Sequence, residues 1–178
     1  VYDSRNVVPG TAFVCIPGTI LDGHDYANSA VERGAVAIIA EREIQIPDSV
    51  ALILVPSARR ALSFMSARYF NNPGNELKII GITGTKGKTT TSHMIKSVLE
   101  EAGIPYGIIG TIGAFIGEEC IPLQHTTPES YELQKLFRYM ADRGCEYVVM
   151  EVSSQGLKMD RVAAVSFDIG IYTNLSPD

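Results

Sequence analysis

Apolar residues in the first third of the chain come in short, nearly unbroken runs. TAFVCI, AVAIIA and ALILV, all within residues 11 to 55, have strand length and no polar alternation, the pattern of strands covered on both faces. Between the first two, YANSAVERG predicts a helix that stops at Gly34. SARRALSFMSARYF then places Ala58, Leu62, Met65 and Tyr69 on one helical face and ends in NNPGNE, a cluster of turn residues. A domain boundary is expected at about residues 71 to 76, separating 1–73 from 74–178.

The rhythm strengthens after that boundary. LKIIGI, YGIIGTI, YVVMEV and FDIGIYTNL read as strands, and KTTTSHMIKSVLEEAG and PESYELQKLFRYMADRG as the helices between them. Met94, Ile95, Val98, Leu99 and Ala102 are expected to form the buried face of the first helix, and Leu133, Leu136, Phe137 and Met140 that of the second. The fold class is therefore α/β: a small α/β domain, then a mostly parallel sheet with helices on both faces, whose ligand site belongs at the carboxyl ends of the strands. There are no internal repeats and no low-complexity segments.

Composition narrows the function classes. With 46% hydrophobic and 20% charged residues the chain can bury a core. Fifteen Lys and Arg against twenty Asp and Glu give a net charge of −5, and with no dense basic run nucleic acid is not an expected partner. Cys15, Cys120 and Cys145 fit neither a disulfide framework nor a zinc site and are expected to be small buried hydrophobes in a reducing compartment. No apolar run is long enough to span a bilayer, and VYDSRNVVPG lacks the regions of a signal peptide, so membrane insertion is not expected and the location is read as cytoplasmic. Oligomeric state is not encoded in these patterns. An opening on Val1 without Met and an ending on TNLSPD suggest a piece of a longer protein.

Chemistry concentrates in GITGTKGKTTT, residues 81 to 91. Strand, glycine loop and helix follow one another, so backbone N–H groups and the positive helix end would face a bound anion. Gly84 and Gly87 leave room for phosphate oxygens, Lys88 would meet the β and γ phosphates of ATP, and the Thr89 hydroxyl would complete Mg²⁺ coordination. The longer phosphate-loop pattern, Gly-x-x-x-x-Gly-Lys-[Ser/Thr], is not met, because Ile82 stands where its first glycine belongs. What remains is a tight loop, Gly84-Thr85-Lys86-Gly87-Lys88-Thr89, followed by Thr90. The competing reading is a glycine-rich turn with a Thr as helix cap.

TGTKGKTTT resembles the Thr-Gly-Thr-x-Gly-Lys-[Thr/Ser]-Thr loop of the Mur ligases and the related folylpolyglutamate synthetases. DSR at 3–5, IPGTILDGHDY at 16–26, HTTPES at 125–130, and MEVSSQGLKMDRV at 150–162 followed by YTNLSPD extend the resemblance along nearly the whole chain. Together they are similar to the Mur ligases that add the third residue to UDP-MurNAc-L-Ala-D-Glu. The resemblance implies an ATP-dependent, ADP-forming amino-acid ligase of peptidoglycan precursor synthesis. In this reaction a D-Glu carboxylate takes the γ-phosphoryl group, and the amine of the incoming amino acid attacks the acyl phosphate. Residues 1–73 would be the UDP-substrate domain and 74–178 the first part of the ATP-binding domain.

Site roles follow from the same resemblance. Lys88 and Glu151 would be catalytic, with Thr89 and Glu151 on Mg²⁺; Gly84 through Thr90 would hold ATP; Ser4, Thr126, Thr127, Ser153 and Arg161 would touch the nucleotide-sugar peptide. Plainer readings stand beside these. Thr126 or Thr127 could cap the helix after Pro128, Asp3 could pair with Arg5, Arg161 could join a surface ion pair, and His24 and Asp25 could brace their loop. His93 and His125 are expected to have no catalytic role.

The chain departs from the family pattern at Lys86, where many relatives carry Asn; at Gln155, where many carry His; and at Met159, where some use Gln toward substrate. Of the family's Asp-His pair after TNLSP only Asp178 is present. The metal-binding His, the carbamylated lysine and the carboxy-terminal domain that selects the amino acid fall beyond residue 178. The 178 residues alone are therefore expected not to complete ligation, and the third residue, meso-diaminopimelate or L-lysine or another, is not encoded in them. Another Mur or folylpolyglutamate-type ligase would explain the loop but not the DSR and DGH stretches. A noncatalytic nucleotide-binding module would not need Glu151, Ser153 and Arg161 together.

Overall fold

The computed structural model describes residues 1–18 and 21–176, so Thr19 and Ile20 of the IPGTILDGHDY stretch, and Asp178, lie outside the described residues. The chain divides into two compact units, Val1–Leu62 and Ser63–Asp178.

In the first unit β1 (Ala12–Val14), β2 (Ala37–Ala40) and β3 (Ala51–Leu54) form a parallel sheet in that order, with Phe13 opposite Ile38 and Val14 opposite Ile39. Alternate residues feed two cores. Phe13, Cys15, Ile38 and Ala40 pack with Ala27 and Ala30 of α1 (Ala27–Glu32), while Val14 and Ile39 pack with Ala58 and Leu62 of α2 (Ala58–Tyr69). Coverage of both faces is why β1 and β2 read as unbroken apolar runs, whereas β3, expected to be covered as well, is an edge strand that leaves Ile53 and Leu54 exposed.

The second unit holds a six-stranded sheet. Its strands are β4 (Lys78–Thr83), β5 (Tyr106–Gly110), β6 (Gly113–Ile116), β7 (Glu119–Ile121), β8 (Tyr147–Glu151) and β9 (Ile169–Tyr172), in the order β7-β6-β5-β8-β4-β9. The four strands β5, β8, β4 and β9 are parallel, whereas β6 and β7 run antiparallel at one edge. Ile79, Ile109, Val148 and Met150 meet Leu133, Phe137 and Met140 of α4 (Ser130–Asp142) on one face. Ile80, Ile82 and Val149 meet Leu99 of α3 (Lys88–Glu101) on the other. A short α5 (Ser154–Lys158) follows β8.

Several expectations need correction. The hairpin β6–β7 and helix α5 were not anticipated. Neither were the faces of two helices. On α2 Met65 and Tyr69 are exposed, and the buried positions beside Ala58 and Leu62 are Ser63, Ser66 and Ala67. Ser63 is buried because its hydroxyl accepts a hydrogen bond from the Ala164 N–H at 3.0 Å. On α3 Leu99 is buried and Ile95 packs beside it as expected, but Met94 and Val98 are 64% and 67% exposed, and the helix also buries Ser92, whose hydroxyl donates to the Thr89 carbonyl at 2.8 Å. Small serines that satisfy their own polar group can face a core, and a hydrophobicity pattern cannot register them.

Cys15 and Cys145 are buried as expected, with burial pushing the Cys15 thiol up to about 12. Cys120, on the edge strand β7, is exposed instead. Among the described residues no helix is long and apolar enough to cross a membrane.

Candidate functional site

The second unit presents its chemistry where β4, β5, β8 and β9 end. Leaving β4, the chain turns through Gly84 at φ +141° and enters α3 at Gly87, φ +86°, values a side chain resists. A Cβ on Gly84 would also lie 2.1 Å from Thr173 Oγ1. No side chain caps α3, whose N-cap is Gly87 itself. The Thr-cap reading of this loop is thus overturned, and the helix end keeps its amides for a ligand. Lys88 Nζ is folded over the loop, donating to Gly84 O at 2.6 Å and Thr85 O at 3.4 Å.

The loop is held from β9's exit. The Thr85 N–H donates to Asn174 O at 3.1 Å, and the Lys86 N–H to Asn174 Oδ1 at 3.0 Å. Lys86 O in turn accepts from Thr173 Oγ1 at 2.7 Å and Asn174 Nδ2 at 3.0 Å. Thr173 and Asn174 were not singled out from the sequence, although their place just past a parallel strand was available as a signal. Lys86 itself is exposed; its backbone is docked, and nothing in the structure explains the choice of a lysine side chain.

Glu151 ends β8 opposite Ile82 of β4, 2% exposed. Three donors converge on it: Thr89 Oγ1 at 3.0 Å and Thr111 Oγ1 at 3.1 Å reach Oε2, and the Thr111 N–H lies 3.3 Å from Oε1. Gly110 makes the room, since a Cβ there would stand 2.3 Å from Glu151 Oε1. A carboxylate and a hydroxyl in mutual contact beside an uncapped helix end suit Mg²⁺, which binds through one or two carboxylates, phosphates and water. Among the described residues no group of three or more His, Cys, Asp or Glu could hold a metal, so an all-protein cage is not on offer.

The Thr-Thr pair is split by burial. Thr126 is partly exposed and its Oγ1 lies 3.0 Å from Thr111 Oγ1. Thr127 is fully buried; its hydroxyl donates to Glu151 O at 3.1 Å and accepts from the Ser153 N–H at 2.9 Å. Neither Thr caps α4, whose N-cap is Glu129 without a side-chain bond, because the helix begins only at Ser130 and Thr127 is already spent on the end of β8. Ser153 caps α5, accepting from the Gly156 N–H at 3.0 Å.

Arg161 is not in a surface ion pair. It is buried, pairs with Glu129 at 2.8 Å, and donates to Thr127 O at 2.9 Å. Met159 Sδ lies 3.5 Å from its Nη2. Its Nε is closed off from solvent and has no hydrogen-bond partner among the described residues. In this arrangement Thr127 and Arg161 brace the turn that presents Thr126. Gln155, His93 and His125 are exposed.

The first unit has a candidate site of its own. Tyr2, Asp3, Ser4, Arg5, Phe13, Ile16, Leu21, Gly23 and Tyr26 line a cavity of about 520 Å³. Its polar rim is fixed locally: Arg5 grips Asp3 through Nη2–Oδ2 at 2.6 Å and Nε–Oδ1 at 2.9 Å, which holds the Asp3 carboxyl below its usual range. His24 is buried and braces its loop. Its Nε2 accepts from the Glu41 N–H at 3.0 Å, so Nδ1 carries the proton toward Asp22 Oδ1 at 2.5 Å. Asp25 is exposed.

The backbone N–H of His24, followed by the His24 ring and Arg42, lowers the Asp22 carboxyl to about 2 from an ordinary 3.8. A carboxyl depressed in the folded state contributes stability above its unfolded pKa and loses it as pH falls through the folded one. Asp22→Asn should therefore be less stable than the parent chain at pH 5, with the difference shrinking between about pH 4 and pH 2. Urea unfolding of both at several pH values measures it, and a difference independent of pH would refute the assignment.

Comparison with known proteins gives this geometry a family. Residues 82–178 match the Mur ligase middle domain, and residues 1–70 match the Mur ligase family, catalytic domain. The UDP-N-acetylmuramoyl-L-alanyl-D-glutamate--2,6-diaminopimelate ligase of Clostridium perfringens (strain 13 / Type A) is 49% identical over 177 residues, 99% of this chain and 37% of that enzyme. The ligase of the same name from Geobacillus thermodenitrificans (strain NG80-2) is 47% identical over 99% of this chain and 36% of its own length. The chain thus spans little more than a third of the curated relatives it matches. A solved structure of a ligase of that name superposes with a TM-score of 0.84 at 28% identity, covering 100% of this chain and 36% of the other. MurF ligase from Thermotoga maritima, in complex with ADP, gives 0.63 at 26% identity over 98% of this chain and 36% of its own. With a middle-domain match over more than half of its residues, the chain belongs to the Mur ligase family.

Proposed function

We propose that this chain supplies the nucleotide- and muramoyl-peptide-binding parts of an ATP-dependent, ADP-forming ligase that adds the third residue to UDP-MurNAc-L-Ala-D-Glu. The observation that carries the reading is the 3.0 Å contact between Thr89 Oγ1 and Glu151 Oε2 at the uncapped start of α3. The names of the relatives favour 2,6-diaminopimelate as the added residue, and the ADP bound by the MurF relative favours the nucleotide. Residues 1–73 are then the UDP-substrate domain, with Ser4 at its cavity, and 74–178 the first part of the ATP-binding domain.

In this reading the backbone from Gly84 to Thr90 cradles the phosphates. The Lys88 ammonium, already folded over the loop, meets the oxygens on which negative charge gathers as the γ-phosphoryl group passes from ATP to the D-Glu carboxylate and ADP departs. Thr89 and Glu151 would hold Mg²⁺, which when bound neutralises phosphate charge. Thr126, on the turn that Thr127 and Arg161 brace, would orient the peptide, keeping its carboxylate in line with the transferred group. The amine of the third amino acid then displaces phosphate from the acyl phosphate, forming the amide.

Calorimetry on the 178-residue chain tests this reading. Mg-ATP and UDP-MurNAc-L-Ala-D-Glu should both bind, folate should not, and Ser4→Ala should weaken only the muramoyl compound. Lys88→Ala should weaken Mg-ATP by about 100-fold, given the worth of a charge-assisted phosphate contact in a dry site. Mg-ATP affinity unchanged by Lys88→Ala would remove the phosphate-loop assignment.

A further inference from the structure

Thr111, the first residue after β5, has no part in the reading above, yet its hydroxyl stands between the nucleotide side of the site and the peptide side. Its Oγ1 is 3.1 Å from Glu151 Oε2 and 3.0 Å from Thr126 Oγ1, and its own N–H reaches Glu151 Oε1 at 3.3 Å. The direction of these bonds is constrained by proton count. A carboxylate only accepts, and a hydroxyl has a single proton to give. Glu151 is met by two hydroxyls and an amide, all donors, so the proton of Thr111 is committed to it. The bond between the two threonines must then be donated by Thr126. The row is ordered Thr126 to Thr111 to Glu151, and Thr126 is left with lone pairs alone for a ligand.

We propose that Thr111 is a positioning residue that orients the Thr126 hydroxyl as a hydrogen-bond acceptor, so that Thr126 takes a donor of the muramoyl peptide, an amide N–H or a sugar hydroxyl, and not a carboxylate or phosphate oxygen. The proposal deepens the reading above and rests on it for the identity of the ligand. It also assigns the anionic end of the peptide to other donors. Because one end of the row is Glu151, a change at Thr111 should be felt on the peptide side while Mg-free ATP binding, which uses the loop backbone and Lys88, stays as it is.

Two measurements on the 178-residue chain test it. Neutron diffraction of deuterium-exchanged crystals should show the Thr126 deuteron pointing at Thr111 Oγ1 and the Thr111 deuteron at Glu151. A Thr111 deuteron pointing at Thr126 overturns the proposal whatever the ligand is. Calorimetry with UDP-MurNAc-L-Ala-D-Glu should show about a tenfold loss for Thr111→Val, the order expected for one misdirected hydrogen bond. Thr111→Ser should restore affinity, and Thr111→Val should cost nothing further in a Thr126→Val background, with Mg-free ATP affinity equal in all of them. Additive losses at Thr111 and Thr126 would mean that Thr111 does not act through Thr126. If the parent chain binds no muramoyl dipeptide, the functional reading fails, and the deuteron positions alone decide the hydrogen-bond order.

Discussion

Glu151→Gln is expected to weaken Mg-ATP binding by about 100-fold or more while leaving the fold intact. Loss of a partner that merely supports a ligand costs 10- to 100-fold in metal affinity, and Glu151 is proposed as a direct ligand. The amide is nearly isosteric, and its surroundings accommodate it: both hydroxyls that now donate to the carboxylate, from Thr89 and Thr111, can rotate to accept from an NH₂ group. No buried polar atom is stranded, so the thermal midpoint should move little. ATP without Mg²⁺ should bind at least as well, because a negative charge beside the phosphates has gone. Titration of the parent and variant with ATP, with and without Mg²⁺, separates the two effects. A variant that binds Mg-ATP as tightly as the parent would refute the metal assignment.

Gly84→Ala is expected to damage both stability and nucleotide binding. At φ +141° the backbone sits where L side chains are strained, at a cost of roughly 1–3 kcal/mol. The added Cβ would also lie 2.1 Å from Thr173 Oγ1 and 2.9 Å from Asn174 O, the groups that pin the loop to β9's exit. Overpacking of this kind adds roughly 1–3 kcal/mol. Together they should lower the thermal midpoint by roughly 10 °C in a chain of this length. Mg-ATP binding should fall beyond detection as the loop parts from Thr173 and Asn174. Gly103→Ala is the control. Its φ is +66° but a Cβ there meets nothing within 4 Å, so only backbone strain of roughly 1–2 kcal/mol is expected. Equal effects at the two glycines would show that the packing against Thr173 contributes nothing.

Much of this site was legible in the chain. Gly-Lys-Thr between a strand and a helix marks the proposed phosphate loop, and Glu151 at the end of a strand marks the carboxylate beside it, because parallel strands bring their carboxyl ends to one edge. The residues that complete the cluster were not legible. Thr111 is an ordinary threonine after a strand, and Asn174 lies 88 positions from the Lys86 amide it receives. Each lies just past a parallel strand, but nothing in the sequence says which group it meets. Burial misled in the other direction: Thr127 and Arg161 carry polar groups that suit a ligand, and the fold spends most of them on Glu151, Ser153 and Glu129.

By itself, then, the sequence determined the α/β class, the order of the longer strands and helices, the glycine loop and its charge, because these depend on periodicity and on what glycine, lysine and threonine can do next to one another. Only the tertiary structure decided which polar groups remain for a ligand. Met94 and Val98 face outward while Ser92 is buried, and of two adjacent threonines one is sealed and the other presented. The physical reason is that a polar side chain is available only if no other group has already satisfied it, and those satisfying groups come from strands and turns far away along the chain.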